Sequence, residues 1–122
     1  MKGLILGLML AVATLTVTPA DAADDRNVTV INGTGYSIKF LGFNNPGDSD
    51  WSDNEIGSVM ADGASQYVKF NNADKGCKWN IRISWAMEGY PDVVWHDIDL
   101  CSIEKMTLHY DRASDTTSIE AE

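Results

Sequence analysis

Two cysteines, the only ones in the chain, flank a segment whose pattern is typical of a β-hairpin. Two strand-like runs, 78–85 and 93–100, are separated by a short stretch with Gly89 near its centre. If the hairpin is centred on Gly89, Cys77 and Cys101 each lie twelve residues from the centre and fall opposite each other. Because opposite side chains in antiparallel strands lie within disulfide reach, the spacing predicts a Cys77–Cys101 bond that closes this hairpin.

The same pairing creates a conflict between the two faces of the hairpin. Uninterrupted pairing puts Trp79 on a face shared with Asp99, while the apolar Ile98 points the other way. A single β-bulge near Trp95-His96 reverses the side-chain alternation beyond it and returns Ile98 to the apolar face. The pattern therefore predicts one bulge in the second strand of the hairpin.

The rest of the chain consists of short runs of alternating or β-branched residues, separated by turn residues. The additional predicted strands are 27–31, 36–43, 66–70, 105–110 and 116–121, with a short edge segment at 56–60. Lys39, Lys69 and Arg82 are predicted to face water, and Pro46-Gly47 suits a type II turn. Six or seven short strands without a helical period predict a small antiparallel β-sandwich, immunoglobulin-like or related, with a small β-barrel as the alternative.

The first residues of the chain have the pattern of a secretory signal peptide. Lys2 supplies a positive charge, residues 3–17 carry no charge, and Ala20-Asp21-Ala22 places small residues where a signal peptidase reads. The apolar run is shorter than the roughly 20 residues that a membrane-spanning helix needs, and no second run follows. We therefore predict a signal peptide over 1–22, a single domain over 23–122, and a periplasmic or extracellular location, where a disulfide is expected to persist.

The excess of acidic over basic residues limits the classes of molecule that the protein is expected to bind. The chain has 18 acidic and 9 basic residues, and its formal net charge is −9. Nucleic acids and anionic membranes both require a cationic surface, so neither is an expected partner. An acidic field instead favours a cationic ligand or a protein with a basic surface, and we expect the protein itself to be a monomer.

One loop concentrates the acidic residues. Residues 48–55 follow the predicted turn and contain four carboxylates. These are Asp48, Asp50, Asp53 and Glu55. They could bind calcium, which accepts six to eight oxygens in loose geometry, although the loop lacks the glycine and the final glutamate of an EF-hand. The alternative is a solvated loop whose aspartates hydrogen-bond nearby backbone amides, and calcium is the only cofactor that the sequence suggests.

A tryptophan in the middle of this acidic loop also needs an explanation. Trp51 either fills the edge of the core or forms an exposed contact for a partner. In the second case Trp51, Asp48, Asp50 and Asp53 together form a contact surface for a protein or a cationic ligand. This surface is the binding site that the sequence favours.

Catalytic patterns are weak by comparison. His96 and His109 are the only histidines, and Asp97 follows His96 directly, so their side chains point to opposite faces of a strand. No motif of a known hydrolase, zinc protease or nucleotide-binding loop occurs. We therefore expect no enzymatic activity, with a small hydrolase or lyase as the least favoured alternative.

Seven short segments form a pattern that extends over nearly the whole of residues 23–122. They are 32–36 (NGTGY), 50–51 (DW), 56–57 (IG), 62–63 (DG), 77–80 (CKWN), 95–101 (WHDIDLC) and 110–111 (YD). The pattern resembles a family of small exported, disulfide-containing proteobacterial proteins of unknown function, some of which carry the name argininosuccinate lyase. That lyase is a large helical tetrameric enzyme, and neither its length nor its helical content is present here. The resemblance implies bacterial export and one disulfide, and it implies no substrate.

Together these observations favour an exported, non-enzymatic binding or interaction protein that uses the 48–55 loop with Trp51. A calcium-binding β-sandwich module is the second hypothesis, and a small hydrolase or lyase is the third.

Overall fold

Seven β-strands make up most of the computed structural model, which describes residues 26–71 and 76–122. The strands are β1 (Val28–Gly33), β2 (Ile38–Asn44), β3 (Ser65–Val68), β4 (Lys78–Trp85), β5 (Val93–Asp99), β6 (Lys105–Asp111) and β7 (Thr116–Ala121). A 3-10 turn, Leu100–Ser102, follows β5. The predicted signal peptide, 1–22, lies outside the described residues. In the two described ranges no helix is long and apolar enough to cross a bilayer.

The strands form two separate sheets. One sheet has the order β3-β1-β6-β7 and the other has the order β2-β4-β5. All strand pairs are antiparallel except β1 and β6, which run parallel in the middle of the larger sheet. The fold is therefore the predicted β-sandwich, and the barrel alternative is wrong. The division into four and three strands is that of a constant-type immunoglobulin domain, but the strand order differs from it.

The core lies between the sheets and follows the period-2 alternation of the strands. Val28 and Val30 of β1 point inward together with Met106 and Leu108 of β6, and none of the four is accessible to solvent. The smaller sheet contributes a second set of buried side chains. These are Leu41, Phe43, Trp79, Ile81 and Ile83. Burial of such aliphatic and aromatic side chains is the main source of stability in a domain of this size.

The predicted disulfide joins the two ends of the cysteine hairpin. Cys77 and Cys101 are joined, with a Cα–Cα distance of 5.2 Å. The pairing shifts between Trp79 and Ile81, so that one residue of β4 faces two of β5. The extra residue is Asp97, which has a φ of 56°, a conformation that aspartate tolerates better than most residues.

The predicted bulge is therefore confirmed, one residue beyond the predicted position. It puts Ile98 opposite Trp79, as expected. The uninterrupted register centred on Gly89 is wrong, because the observed pairing is offset from it along the whole hairpin.

Candidate functional site

The acidic loop lies along the outer edge of β2. The backbone N–H of Ser52 donates to the carbonyl of Phe43 at 2.9 Å, and the Ser52 hydroxyl accepts from the Phe43 N–H at 3.0 Å. Asn54 continues the pattern, since its Oδ1 accepts from the Leu41 N–H at 3.0 Å and its amide donates to the carbonyl of Lys39 at 2.9 Å. The loop thus supplies the hydrogen-bond partners that a neighbouring strand would otherwise give to β2.

The acidic side chains of the loop differ in their exposure to solvent. Asp48, Asp50 and Asp53 are exposed, and Glu55 is half-buried. Within the described residues, no three acidic, histidine or cysteine groups of this loop have ligand atoms within 4.8 Å of one another. Calcium binding here stays a prediction, and it would require these carboxylates to converge when the ion arrives.

Trp51 is half-buried and is part of a stack on the outer face of the smaller sheet. The Arg82 guanidinium lies 5.2 Å from the centroid of the Trp51 ring and 4.8 Å from that of Phe40. Arg82 also lies 3.6 Å from a carboxylate oxygen of Asp92. Arg82 therefore lies on the outer face of its sheet, as predicted, and the two rings cover part of its side chain, which stays 31% exposed.

The sequence-derived catalytic candidates lie apart from one another. His96 is exposed on β5, and His109 on β6 contacts Glu120 at 3.0 Å. Asp99 accepts a hydrogen bond from the Cys101 backbone N–H at 3.1 Å and so caps the 3-10 turn. The Asp99 carboxylate lies within 4.8 Å of both sulfurs, but a disulfide provides no thiolate for a metal.

A cleft of about 740 Å³ opens at the end of the sandwich opposite the disulfide. The turn before β2, the end of β4, the β4–β5 loop and the β6–β7 turn meet there. The cleft is lined by Tyr36, Trp85, Met87, Tyr90, Pro91, Asp92, Val93, Tyr110, Arg112, Asp115 and Thr117. A concave surface that combines aromatic and apolar side chains with polar groups able to orient a ligand is a common form of ligand-binding site.

Three aromatic rings of the cleft are close to one another and steeply inclined. The ring centroids of Tyr36 and Trp85 are 6.3 Å apart, with an interplanar angle of 83°. Those of Tyr36 and Tyr110 are 5.9 Å apart at 66°, and those of Trp85 and Tyr110 are 6.1 Å apart at 62°. The three rings come from three different elements, so the fold as a whole determines their arrangement.

A buried asparagine fixes the backbone that carries Tyr36. The side-chain amide of Asn32 donates to the carbonyls of Tyr36 and Met60, both at 2.8 Å. Its Oδ1 accepts from the backbone N–H and the hydroxyl of Thr34, at 3.0 and 2.7 Å. Gly35 completes the turn with a φ of +90° and donates its N–H to Asp62 at 2.8 Å. Tyr36 is thus held in place before any ligand arrives, which reduces the entropy cost of binding.

The hydroxyl of Tyr110 is held by a carboxylate at the mouth of the cleft. It donates to Oδ1 of Asp115 at 2.9 Å. This hydrogen bond raises the pKa of Tyr110 above its ordinary value of 10.0, with further contributions from burial and from the negative charge of Asp115. Tyr110 therefore presents a neutral ring and an oriented hydroxyl at physiological pH.

The β4–β5 loop places two apolar side chains in contact with water beside these rings. Met87 is 50% exposed and Tyr90 is 60% exposed. Both line the cleft. Large apolar side chains that remain exposed next to a concave surface commonly mark a site of interaction.

Sequence reasoning missed this cleft. It placed Tyr36, Trp85 and Tyr110 only as parts of the predicted strands 36–43, 78–85 and 105–110, and it favoured the acidic loop as the binding surface. The available signal was that Tyr36, Trp85 and Tyr110 each lie next to a predicted turn. Only the strand order could show that these turns share one end of the sandwich.

Comparisons with known proteins give no relative to set beside this site. No protein-family model, no curated protein and no solved structure matches the chain.

Proposed function

We propose that this chain is an exported, non-enzymatic binding protein, and that its ligand site is the aromatic cleft at the end of the sandwich. The observation that carries the proposal is the packing of Tyr36, Trp85 and Tyr110 in one concave surface. The exposed Met87 and Tyr90 beside these rings support it, because a bound ligand would cover them.

Recognition rather than catalysis is the activity that the cleft lining favours. Its polar groups are two carboxylates, one guanidinium and the hydroxyls of tyrosine and threonine. His96 and His109, the residues most suited to general acid–base chemistry at neutral pH, do not line it. The Tyr110 hydroxyl and Asp115 are hydrogen-bonded to each other, which suits the positioning of a ligand.

Export is part of the proposal and rests on the sequence of residues 1–22. The Cys77–Cys101 disulfide and the lack of a membrane-spanning helix in the described ranges are compatible with it. The acidic loop at 48–55 then has an auxiliary function, since its exposed carboxylates strengthen the negative field around the protein.

A binding screen followed by two-dimensional NMR tests the assignment of the cleft. The purified protein is mixed in turn with sugars, peptides, organic cations and aromatic acids. We expect at least one class to shift the indole N–H of Trp85 and the neighbouring backbone signals of Tyr36 and Tyr110. Tyr67 on β3, which is exposed but does not line the cleft, serves as the control. If every binding compound instead shifts the loop at 48–55, the cleft assignment is wrong.

A further inference from the structure

We propose that the aromatic cleft binds an organic cation, with a quaternary ammonium or N-methylated amine group seated among Tyr36, Trp85 and Tyr110. The inference rests on the proposed function, because it names the ligand class of the same cleft. The group could belong to a free small molecule or to a methylated side chain of a peptide, since both present the same chemistry to the rings.

The separation of the rings fits a cation between them. The three centroids form a nearly equilateral triangle with sides of 5.9 to 6.3 Å. A cation placed over the centre of this triangle lies within about 6 Å of every centroid, the distance at which an aromatic ring attracts a positive charge. Three rings therefore contribute to one site.

The inclination of the rings favours a rounded ligand over a flat one. The interplanar angles of 62° to 83° leave no two rings near parallel. A planar base or a sugar ring stacks on one flat face at a time, whereas a trimethylammonium group presents methyl groups in all directions and can contact three inclined faces together.

The charges of the cleft also favour a cation. Two carboxylates line it, those of Asp92 and Asp115, against one guanidinium, that of Arg112. Arg82 is 3.6 Å from Asp92 and offsets part of its charge, while Asp115 is held beside the rings by the Tyr110 hydroxyl at 2.9 Å. A net charge of −9 for the whole chain adds a long-range attraction for cations.

The chain's own cations stack elsewhere. Within residues 26–71 and 76–122, the recorded stacks of guanidinium groups on rings are those of Arg26 on Phe70 and of Arg82 on Phe40 and Trp51. No such contact from the described part of the chain involves the three cleft rings. A cation that binds there therefore displaces no stacked guanidinium, although Arg112 lies in the same lining and is close enough to Tyr110 to lower its pKa.

A comparison of choline with its neutral carbon isostere tests whether the positive charge of the ligand contributes to binding. In the isostere a tert-butyl group replaces the trimethylammonium head. The two compounds have nearly the same shape, so a difference in Kd reports the cation. We expect choline to shift the signals of Tyr36, Trp85 and Tyr110, and the isostere to bind about tenfold more weakly. A peptide with trimethyllysine, compared with its unmodified form, shows whether the group comes from a peptide side chain.

Ring variants locate the site. Trp85→Phe keeps an aromatic face and is expected to weaken choline binding less than Trp85→Leu, which removes the face and costs about tenfold in Kd. Tyr36→Leu provides a second test if Trp85→Leu does not fold, because Tyr36 lies in a turn. Tyr67→Leu is the matched control, since this exposed tyrosine does not line the cleft.

The outcomes distinguish failure of the cation assignment from failure of the cleft as a binding site. If the isostere binds as tightly as choline, or if only another ligand class binds the cleft, the cation assignment is wrong and the cleft remains a binding site. If neither the ammonium probes nor the broader panel shifts the Trp85 indole, both proposals are wrong.

Discussion

The contact between Tyr110 and Asp115 links the geometry of the cleft to the protonation of one residue. The phenol hydroxyl donates a hydrogen bond to the carboxylate at 2.9 Å. Ionisation of Tyr110 would break this bond and place two negative charges side by side, which is why its pKa is raised above 10.0. A group with a higher pKa in the folded state than in the unfolded state contributes its full stabilisation at a pH below the unfolded-state pKa. This contribution is lost as the pH rises through the folded-state pKa.

We therefore expect the replacement Asp115→Asn to lower the pKa of Tyr110 towards 10.0. The phenolate absorbance of the protein, measured against the same titration of a Tyr110→Phe variant, isolates this residue from the other three tyrosines. The unfolding free energy of the wild type should also fall above pH 10, and it should fall less in the Tyr110→Phe variant. Asp92→Asn is the control, because Asp92 is not among the groups that shift Tyr110; an equal effect there would contradict the assignment.

Single residues show where sequence reasoning reaches its limit. Trp51 was expected to fill the core edge or to contact a partner, and its ring covers Arg82, a contact that neither alternative included. Asn32 is polar by residue type, yet its side chain is fully buried and its amide donates to the Met60 carbonyl at 2.8 Å. In each case the partner comes from a distant segment, and residue type alone does not identify it.

At the scale of elements, the loop from 45 to 60 acts as a substitute strand. Side chains of Ser52 and Asn54 bond to the backbone of β2, and Met60 pairs with Ile38 at the other end through two hydrogen bonds of 2.8 and 3.0 Å. An uncovered β-strand edge can pair with another molecule, and charged residues discourage such pairing. The acidic composition of this loop is thus consistent with protection of an edge.

The replacement Asn54→Ala tests this function of the loop. It removes the acceptor of the Leu41 N–H and the donor to the Lys39 carbonyl, so we expect a loss of about 2 kcal/mol in unfolding free energy. Size-exclusion chromatography should also show more self-association as the edge becomes accessible. Asp53→Asn is the matched control and should change stability by less than about 0.5 kcal/mol. Equal behaviour of the two variants would show that the loop does not protect the edge.

Strands were the most predictable elements. The predicted bounds of β4 and β7 agree with the structure, because the alternation of apolar and polar residues there is clear and turn residues stand at both ends. The bulge was predictable because Ile98 had to share a face with Trp79. The parallel pairing of β1 with β6 was not predictable from the sequence, since this pairing depends on which strands lie in the second sheet.

At the scale of the whole molecule, the covalent link and the proposed ligand site lie at opposite ends of the sandwich. The disulfide joins the start of β4 to the turn after β5, and the cleft lies where these strands meet their shared loop. We therefore expect the disulfide to affect global stability rather than the shape of the cleft.

Reduction of Cys77–Cys101 should lower the unfolding free energy by about 3.5 kcal/mol, the chain-entropy value for a closed loop of about 25 residues. Denaturant unfolding with and without a thiol reductant measures the change. A Cys77→Ser, Cys101→Ser double variant should match the reduced protein and should be insensitive to the reductant. An unchanged midpoint after verified reduction would contradict a stabilising role.

The cleft is the part of the molecule that no local pattern could reveal. Tyr36 and Tyr110 are far apart in sequence, and they meet because β1 and β6 are neighbours in the larger sheet. Trp85 joins them from the opposite sheet. A site assembled from both sheets requires the complete topology, whereas the disulfide required only the geometry of one hairpin.

The central position of β1 also has a consequence for how the chain folds. Thr29 pairs with Tyr67 on one side and with Lys105 on the other, so both neighbours of this strand are synthesised long after it. Native topology of such high contact order slows folding, and domains of this kind typically need milliseconds to seconds. Until β6 is available, one edge of β1 lacks its native backbone partner, and a molecular chaperone that shields this edge would raise the yield of the folded protein.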